Sequence, residues 1–458
     1  MQILFLPKNR IPGETRVTDR QPGGLGDDVA VIVPYNAMRN NPTGEPMFHS
    51  TYHRFTPDEK RILAITCPSH FFTHFFILVF PAVTMPLVSD LHLPIEDVVR
   101  LSFFMYLAYG LCALPVGLIV DHWQARGMLV IGNVLMGFGI LGAAIWPGPK
   151  SMPAALALVG VGASVYHPAG LALISRTIGR RGLALGINGV FGNLGIASSP
   201  LVTGILTWAF GWKVTFLILG AVGIATGGAL AAIHVNETHT RTFHGTSKAD
   251  TMELARYFVI LCIALVFAGI SYRGNMILLP AYLQLKTTFV HNLIGSLSFL
   301  HTHGTATLAA TVLTSIVLLT GIFGQILGGR LADRIDLRNA YILYHAASLP
   351  FIALMSVTSN YALAVCAAIY AFFSLGMQPI ENSLIASLTP QRWRSTSFAV
   401  KFILNFGVGA SAVYLVGAVK RAYSLGSVYW FLAGSTAMVV IAAVVLRVAS
   451  RKLQSVRN

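Results

Sequence analysis

The sequence predicts an all-α membrane protein of twelve transmembrane helices arranged as two pseudo-symmetric six-helix bundles. Three observations carry that expectation. The 458 residues are 55% hydrophobic and only 11% charged, with a mean hydropathy of +0.67, whereas soluble domains carry roughly 25% charged residues. The apolar residues fall into twelve runs, most of them about 20 residues long, enough to cross a hydrocarbon layer of ~30 Å as helix. A set of motif residues also repeats at one fixed offset between the two halves of the chain.

In chain order, residues 1–61 are polar and rich in Pro, Gly and basic side chains. Their early apolar run, Ile3 to Leu6, is too short for a signal-peptide core. The stretch reads as a disordered cytoplasmic extension, and Met47 leaves a later natural start open. The first bundle, 62–233, holds spans 62–89, 98–120, 128–146, 152–176, 182–209 and 212–233. Residues 234–255 are polar, show no apolar period and read as a cytoplasmic linker. The second bundle, 256–447, holds spans 256–284, 306–331, 340–358, 361–386, 395–420 and 427–447, and 448–458 is a cytoplasmic tail. The four cysteines, Cys67, Cys112, Cys262 and Cys366, lie in separate apolar runs without CxxC spacing, which predicts core thiols instead of disulfides or zinc ligands.

Charge fixes the expected orientation. Of the 32 Lys and Arg residues, Arg100, Lys150, Lys213, Lys286, Lys420 and Arg421 fall in loops or at span ends on one side, Arg273 and Lys401 fall further inside spans, and the remaining 24 fall on the other side. That asymmetry is the positive-inside pattern and predicts both termini in the cytoplasm. It also accounts for the net charge of +15 without a nucleic-acid partner, because the basic residues are spread over many short loops.

The repeat has an offset of 212 residues: Gly117, Asp121 and Arg126 recur as Gly329, Asp333 and Arg338, Asn193 as Asn405, and Gly195 as Gly407. Parallel repeats of this kind place a transport site between the two bundles. In the repeated loops, and at Arg334 beside Asp333, acid and base at a helix end can latch neighbouring helices in one state and release them in another. A solvated loop carrying topological charge is the plainer alternative.

Ionisable side chains in hydrocarbon cost a few kcal/mol or more, so those retained face a cavity or a partner. Six are candidates here: His70, His74, His167, Arg273, Glu381 and Lys401. His70 and His74 share one face of the first helix, as a metal-ligand pair, a proton-binding pair or residues bonded to neighbouring helices. Two His alone make an incomplete transition-metal site, so no metal is assigned. Pro81 and Pro280 each follow an ionisable residue, His74 and Arg273, by seven positions. If the prolines correspond, His74 and Arg273 face each other across the central cavity. Arg273 stays charged when buried and suits an anionic substrate, a carboxylate or a structural tie to carbonyls. Glu381, the one acidic residue falling inside a predicted span, is either the proton carrier or half of an ion pair with Lys401 that closes the cytoplasmic side. Lys401 could instead snorkel to the interface. His167, followed by Pro168, lines the cavity or satisfies a carbonyl that the proline frees.

These residues resemble the major facilitator superfamily over 62–447. GLIVDHWQAR (117–126) and GRLADRIDLR (329–338) look like its loop motif after helices 2 and 8. Gly186, Gly195, Pro200 and Gly204 resemble the helix-5 motif of its proton-linked exporters, where small residues permit close packing and proline a bend. HFFTH (70–74), Tyr166-His167-Pro168 and the stretch 181–195 are similar to the fosmidomycin-resistance-type branch and its magnetosome-associated relatives.

The resemblance implies alternating access, with proton-coupled export of a small anionic or amphiphilic solute across a bacterial inner membrane. It implies the lipid bilayer, a small-molecule or ion substrate and protons as partners, no cofactor, and a monomeric functional unit. Iron or other metal transport in a magnetosome-type membrane, through His70, His74 and His167, is the alternative it leaves open. A non-transporting scaffold of the same fold, recruiting partners through 1–61, is another. No Walker-type stretch, HExxH or nucleophile triad is present, so neither ATP coupling nor an enzyme is expected.

Overall fold

Every described element of the computed structural model, which covers residues 55–179, 181–235, 237, 248–289, 292, 305–389 and 394–450, is helical. Most of the expected extension 1–61 and of the tail 448–458 lies outside the described residues. Helix α1, Pro57–Ala82, starts earlier than the boundary expected at 62. A capping box explains this: the Thr56 side chain accepts from the Glu59 amide, the Glu59 carboxylate accepts from the Thr56 amide, and Pro57 occupies the first turn.

A short helix, Thr84–Leu91, leads to α2 (Ile95–Val120), α3 (Ala125–Ile145) and α4 (Met152–Thr177). The start of α2 lies ahead of the expected 98, because extended Pro94 launches the helix and sets Glu96 and Asp97 in its first turn, where the macrodipole favours acids. Glu381 is therefore not the sole acidic residue within a span. Helices α5 (181–210) and α6 (212–232) form one stretch broken at Gly211, whose φ of 77° a side chain would oppose.

The second half holds α7 (Leu254–Lys286), α8 (Thr305–Ala332), α9 (Leu337–Leu354), α10 (Asn360–Ser387), α11 (Thr396–Ala422) and α12 (Leu425–Ala449). The helix leading into α7 begins at Lys248, inside the stretch expected as linker, 234–255. Lys-Ala-Asp-Thr-Met-Glu-Leu is polar but contains good helix formers, so hydropathy does not reveal it. Ten helices among the described residues are long and apolar enough to cross a membrane. One of them is the joined α5 and α6, and α9 is a further, less apolar helix, which accounts for the twelve expected.

Within the first half α1 packs on α3 and α5, and within the second α8 packs on α10 while α7 and α9 pack on α12. The halves meet along α5–α8, α2–α11 and α1–α7. Several helices near this seam are interrupted. Helix α4 breaks between Ala163 and Tyr166, α10 breaks at Met377, and α11 carries a π segment, Ile403–Gly407, followed by a 3₁₀ turn, Val408–Ser411. Such π segments concentrate at functional sites because they re-aim side chains within a continuous helix. All four cysteines are free thiols.

Candidate transport site

The interruption in α4 restarts the helix at Tyr166, which turns Tyr166 and His167 towards α1. His70, His74 and His167 then form a triangle, with ring centroids 4.9, 5.5 and 5.4 Å apart. One nitrogen of each ring lies within 4.8 Å of the others. His70 stacks on Tyr166 at 4.2 Å, and its Nδ1 lies 2.8 Å from the Asn188 carbonyl of α5. A carbonyl only accepts, so Nδ1 carries the proton and Nε2 keeps its lone pair when the ring is neutral. The Tyr166 hydroxyl donates to the Asn188 side chain, so Asn188 fixes both rings. A Cβ on Gly192 would come within 2.5 Å of the His70 ring, so the bare backbone of α5 makes room for the imidazole. His167 Nε2 meets the Tyr109 hydroxyl of α2 at 3.1 Å. His74 is buried, and its Nδ1 has no partner among the described residues.

Arg273 of α7 shares a neighbour with this triangle, the Phe406 ring, which stacks on His167 at 6.4 Å. The Arg273 side chain is 0% exposed. The guanidinium carbon lies 4.0 Å from the Tyr106 ring centroid and 5.2 Å from that of Phe406. Cation–π contact with both rings offsets part of the desolvation cost. Nε and Nη2 nevertheless have no hydrogen-bond partner among the described residues. Phe406 belongs to the π segment of α11 and also stacks on Tyr109 at 4.4 Å, so the π segment brings the second half against the His triangle. Phe402 does the same, stacking on His167 at 4.4 Å.

Glu381 and Lys401 meet in a separate cluster. Lys401 Nζ lies 2.8 Å from Glu381 Oε1 and 2.6 Å from Asn382 Oδ1, with the Glu381 side chain 0% exposed. Tyr341 of α9 donates to Glu381 Oε2 at 3.1 Å, and Asn405 donates to Oε1 at 3.4 Å. His345, which hydropathy passes over as one polar residue in the α9 run, is buried with its ring 4.6 Å from Tyr341.

The loop motif residues act mainly within each half. Arg126 donates to the carbonyls of Ala231 and Ile233 at the end of α6. Its counterpart Arg338 donates to the Ser450 carbonyl at the end of α12 at 2.9 Å. Arg338 pairs with Asp336 at 2.7 Å rather than with Asp333, which is exposed, as is Arg334. The Asp121 side chain lies outside the described residues. Gly117 faces Pro168, and Gly329 has open space around it. In the helix-5 motif a Cβ on Gly195 would meet the Phe71 carbonyl at 2.2 Å, and one on Gly204 would meet Thr311 of α8. Pro200 is buried, and Gly186 is exposed with no neighbour within 4 Å of such a Cβ.

The described residues also place a buried acid that the span boundaries had excluded. Glu96 pairs with Lys420 at 2.7 Å, and Asp97 with Arg421 at 3.5 Å, joining α2 to α11 on the face opposite the start of α1.

Residues 67–290 match the family model described as Major Facilitator Superfamily. The probable sulfoacetate transporter SauU of Cupriavidus necator is 24% identical over 62% of this chain and 69% of its own. Over residues 67–290 the chain is thus similar to the major facilitator superfamily. The chain is also 35% identical to the methyl viologen resistance protein SmvA of Salmonella typhimurium, over 23% of this chain and 22% of that one. Among curated relatives matched over such short stretches, the chain spans about a quarter of the relative's length. A bacterial homologue of the human lysosomal transporter Spinster, solved inward-facing and unoccupied, superposes with a TM-score of 0.68 at 16% identity, over 86% of this chain and 98% of that one. The fold is thus the one seen in that solved structure.

Proposed function

We propose that this protein is a member of the major facilitator superfamily, a proton-coupled secondary transporter that exports a small organic anion by alternating access, in a bacterial inner membrane with both termini cytoplasmic. Arg273 carries the reading. A guanidinium stays charged at any accessible pH, and a buried charge left unpaired costs several kcal/mol. Its Nε and Nη2, unpartnered among the described residues, form a fork that suits a carboxylate or sulfonate. SauU is named for a substrate that carries both groups. The positive-inside distribution supports the orientation, and the small-residue face of α5 and the resistance protein SmvA support export. HFFTH and Tyr-His-Pro support a place in the fosmidomycin-resistance-type branch.

Coupling falls to Glu381. Lys401 and Asn405 of α11 and Tyr341 of α9 face it, with Asn382 on Lys401 and His345 beside Tyr341. Protonation of the carboxylate would remove the charge that holds Lys401 and loosen α10 from α11. An inward proton step is thereby tied to a conformational step. The reading is tested in proteoliposomes with sulfoacetate as the probe. Uptake driven by a pH gradient is expected, with Arg273→Lys weakening binding at least tenfold because a point charge cannot reproduce the fork. An unaltered dissociation constant in that variant would remove Arg273 as the anion site.

A further inference from the structure

We infer that His70, His74 and His167 form a binding site for a divalent transition-metal ion, filled together with the anion on Arg273, so that the cargo is a metal–carboxylate complex. The inference rests on the anion reading above and extends it to the nature of the cargo. Three imidazoles from α1 and α4 present nitrogens within 4.8 Å of one another. Ligands at ~2.1 Å from a tetrahedral ion stand roughly 3.4 Å apart, so modest side-chain rotation closes the set.

The surroundings already hold the rings as ligands are usually held. The Asn188 carbonyl fixes the His70 proton on Nδ1 at 2.8 Å and leaves Nε2 for an ion. Tyr109 engages Nε2 of His167 at 3.1 Å and leaves Nδ1. These are the outer-shell contacts that set tautomer and ring angle at metal-binding histidines. His74, buried with an unpartnered Nδ1, is the third. Neutral nitrogen donors favour transition metals over calcium or magnesium.

Charge decides what else must be present. Three neutral imidazoles bring no negative charge, and Arg273, whose guanidinium packs on the same Phe406 ring as His167, adds a positive one nearby. A divalent ion arriving alone would leave three uncompensated positive charges in a buried site, an arrangement that low-dielectric surroundings oppose. An anion that bonds Arg273 and fills an open coordination position relieves both, so ion and anion bind cooperatively.

The test uses the purified full chain in detergent, Co²⁺ as the metal probe and malate as the probe anion, with free Co²⁺ held constant. Wild type should bind one Co²⁺ with the absorption of a nitrogen-ligated site, and malate should raise the affinity at least tenfold. His74→Ala and His167→Ala should each lower it at least tenfold. Arg273→Met should abolish the malate effect while leaving Co²⁺ affinity without malate equal or tighter, a result that mere unfolding would not give. Co²⁺ affinity in wild type that malate does not change, or that the His variants do not lower, overturns the inference. If malate then still binds through Arg273 without metal, the anion reading stands alone. If Arg273→Met leaves malate binding unchanged, it is the anion reading that falls.

Discussion

Glu381 has a charge partner, two neutral donors and no exposure, so its charge state controls the contacts of three helices. Glu381→Gln keeps the shape and removes the charge. Downhill anion exchange is expected to survive, while accumulation driven by a pH gradient disappears; uphill transport at the wild-type rate would take Glu381 out of the coupling step. Asp336 offers a contrasting case in the loop before α9. Hydrogen bonds from Arg338 hold its carboxyl below the ordinary value, against the opposing effect of partial burial. A lowered folded-state value means that its contribution is present above the unfolded value of about 4 and is lost as pH falls through the folded value. Asp336 also caps α9, accepting from the Arg338 and Asn339 amides. Asp336→Ala should therefore cost about 1–2 kcal/mol at neutral pH, and less below pH ~4. Melting in detergent as a function of pH checks this, and a difference constant down to strong acid would contradict it.

At the scale of elements, two glycines of one sequence motif carry different loads. Gly195 lets α5 touch the backbone of α1, where a Cβ would stand 2.2 Å from a carbonyl oxygen, whereas Gly186 faces open space. Gly195→Ala must push the helices apart and should lower stability by about 1–3 kcal/mol, with loss of transport. Gly186→Ala should be neutral or stabilise by up to ~1 kcal/mol. Equal melting temperatures for the two variants would refute the distinction. The sequence marks both positions alike, because spacing records a helix face but not what lies across it. The spans themselves were legible, since lipid obliges each crossing segment to be a long apolar helix. The errors came where polar residues begin a helix: at Pro57, at Ile95 and at Lys248. Half of the site was equally legible. His70, His74, His167 and Arg273 stand out against hydrocarbon, and the Glu381–Lys401 contact follows from their positions on adjacent helices. Tyr106, Tyr109 and Phe406 did not stand out, because an aromatic ring in an apolar run carries no sign of the polar group it packs against. Nor did the π segment, which places Phe406 by packing against the first half.

For the whole molecule, alternating access requires that ties between the halves form on one face and break for the other state. The ties on the face opposite the start of α1 include two ion pairs besides apolar packing. Glu96–Lys420 is well shielded, with 7% exposure of the Glu96 side chain, and Asp97–Arg421 beside it is open to solvent. Arg100 holds Asp97 from within α2 at 2.9 Å, so the acid keeps its direction when the halves part. Exposed pairs contribute little, and the shielded one should dominate. Removing it with Glu96→Gln should favour conformations open on that face by about 1–2 kcal/mol, roughly 5- to 30-fold in population. Lys420→Met should have the same effect, and the two together should give less than the sum, since both break one contact. Spin labels at His92 and Tyr423, both exposed on that face, would report the separation of α2 and α11 in a cysteine-free background. A distance distribution unchanged by Glu96→Gln would mean that apolar packing between the helices, rather than this ion pair, holds the face closed. High salt separates the two contributions further, because it screens the open Asp97–Arg421 pair much more than the buried one.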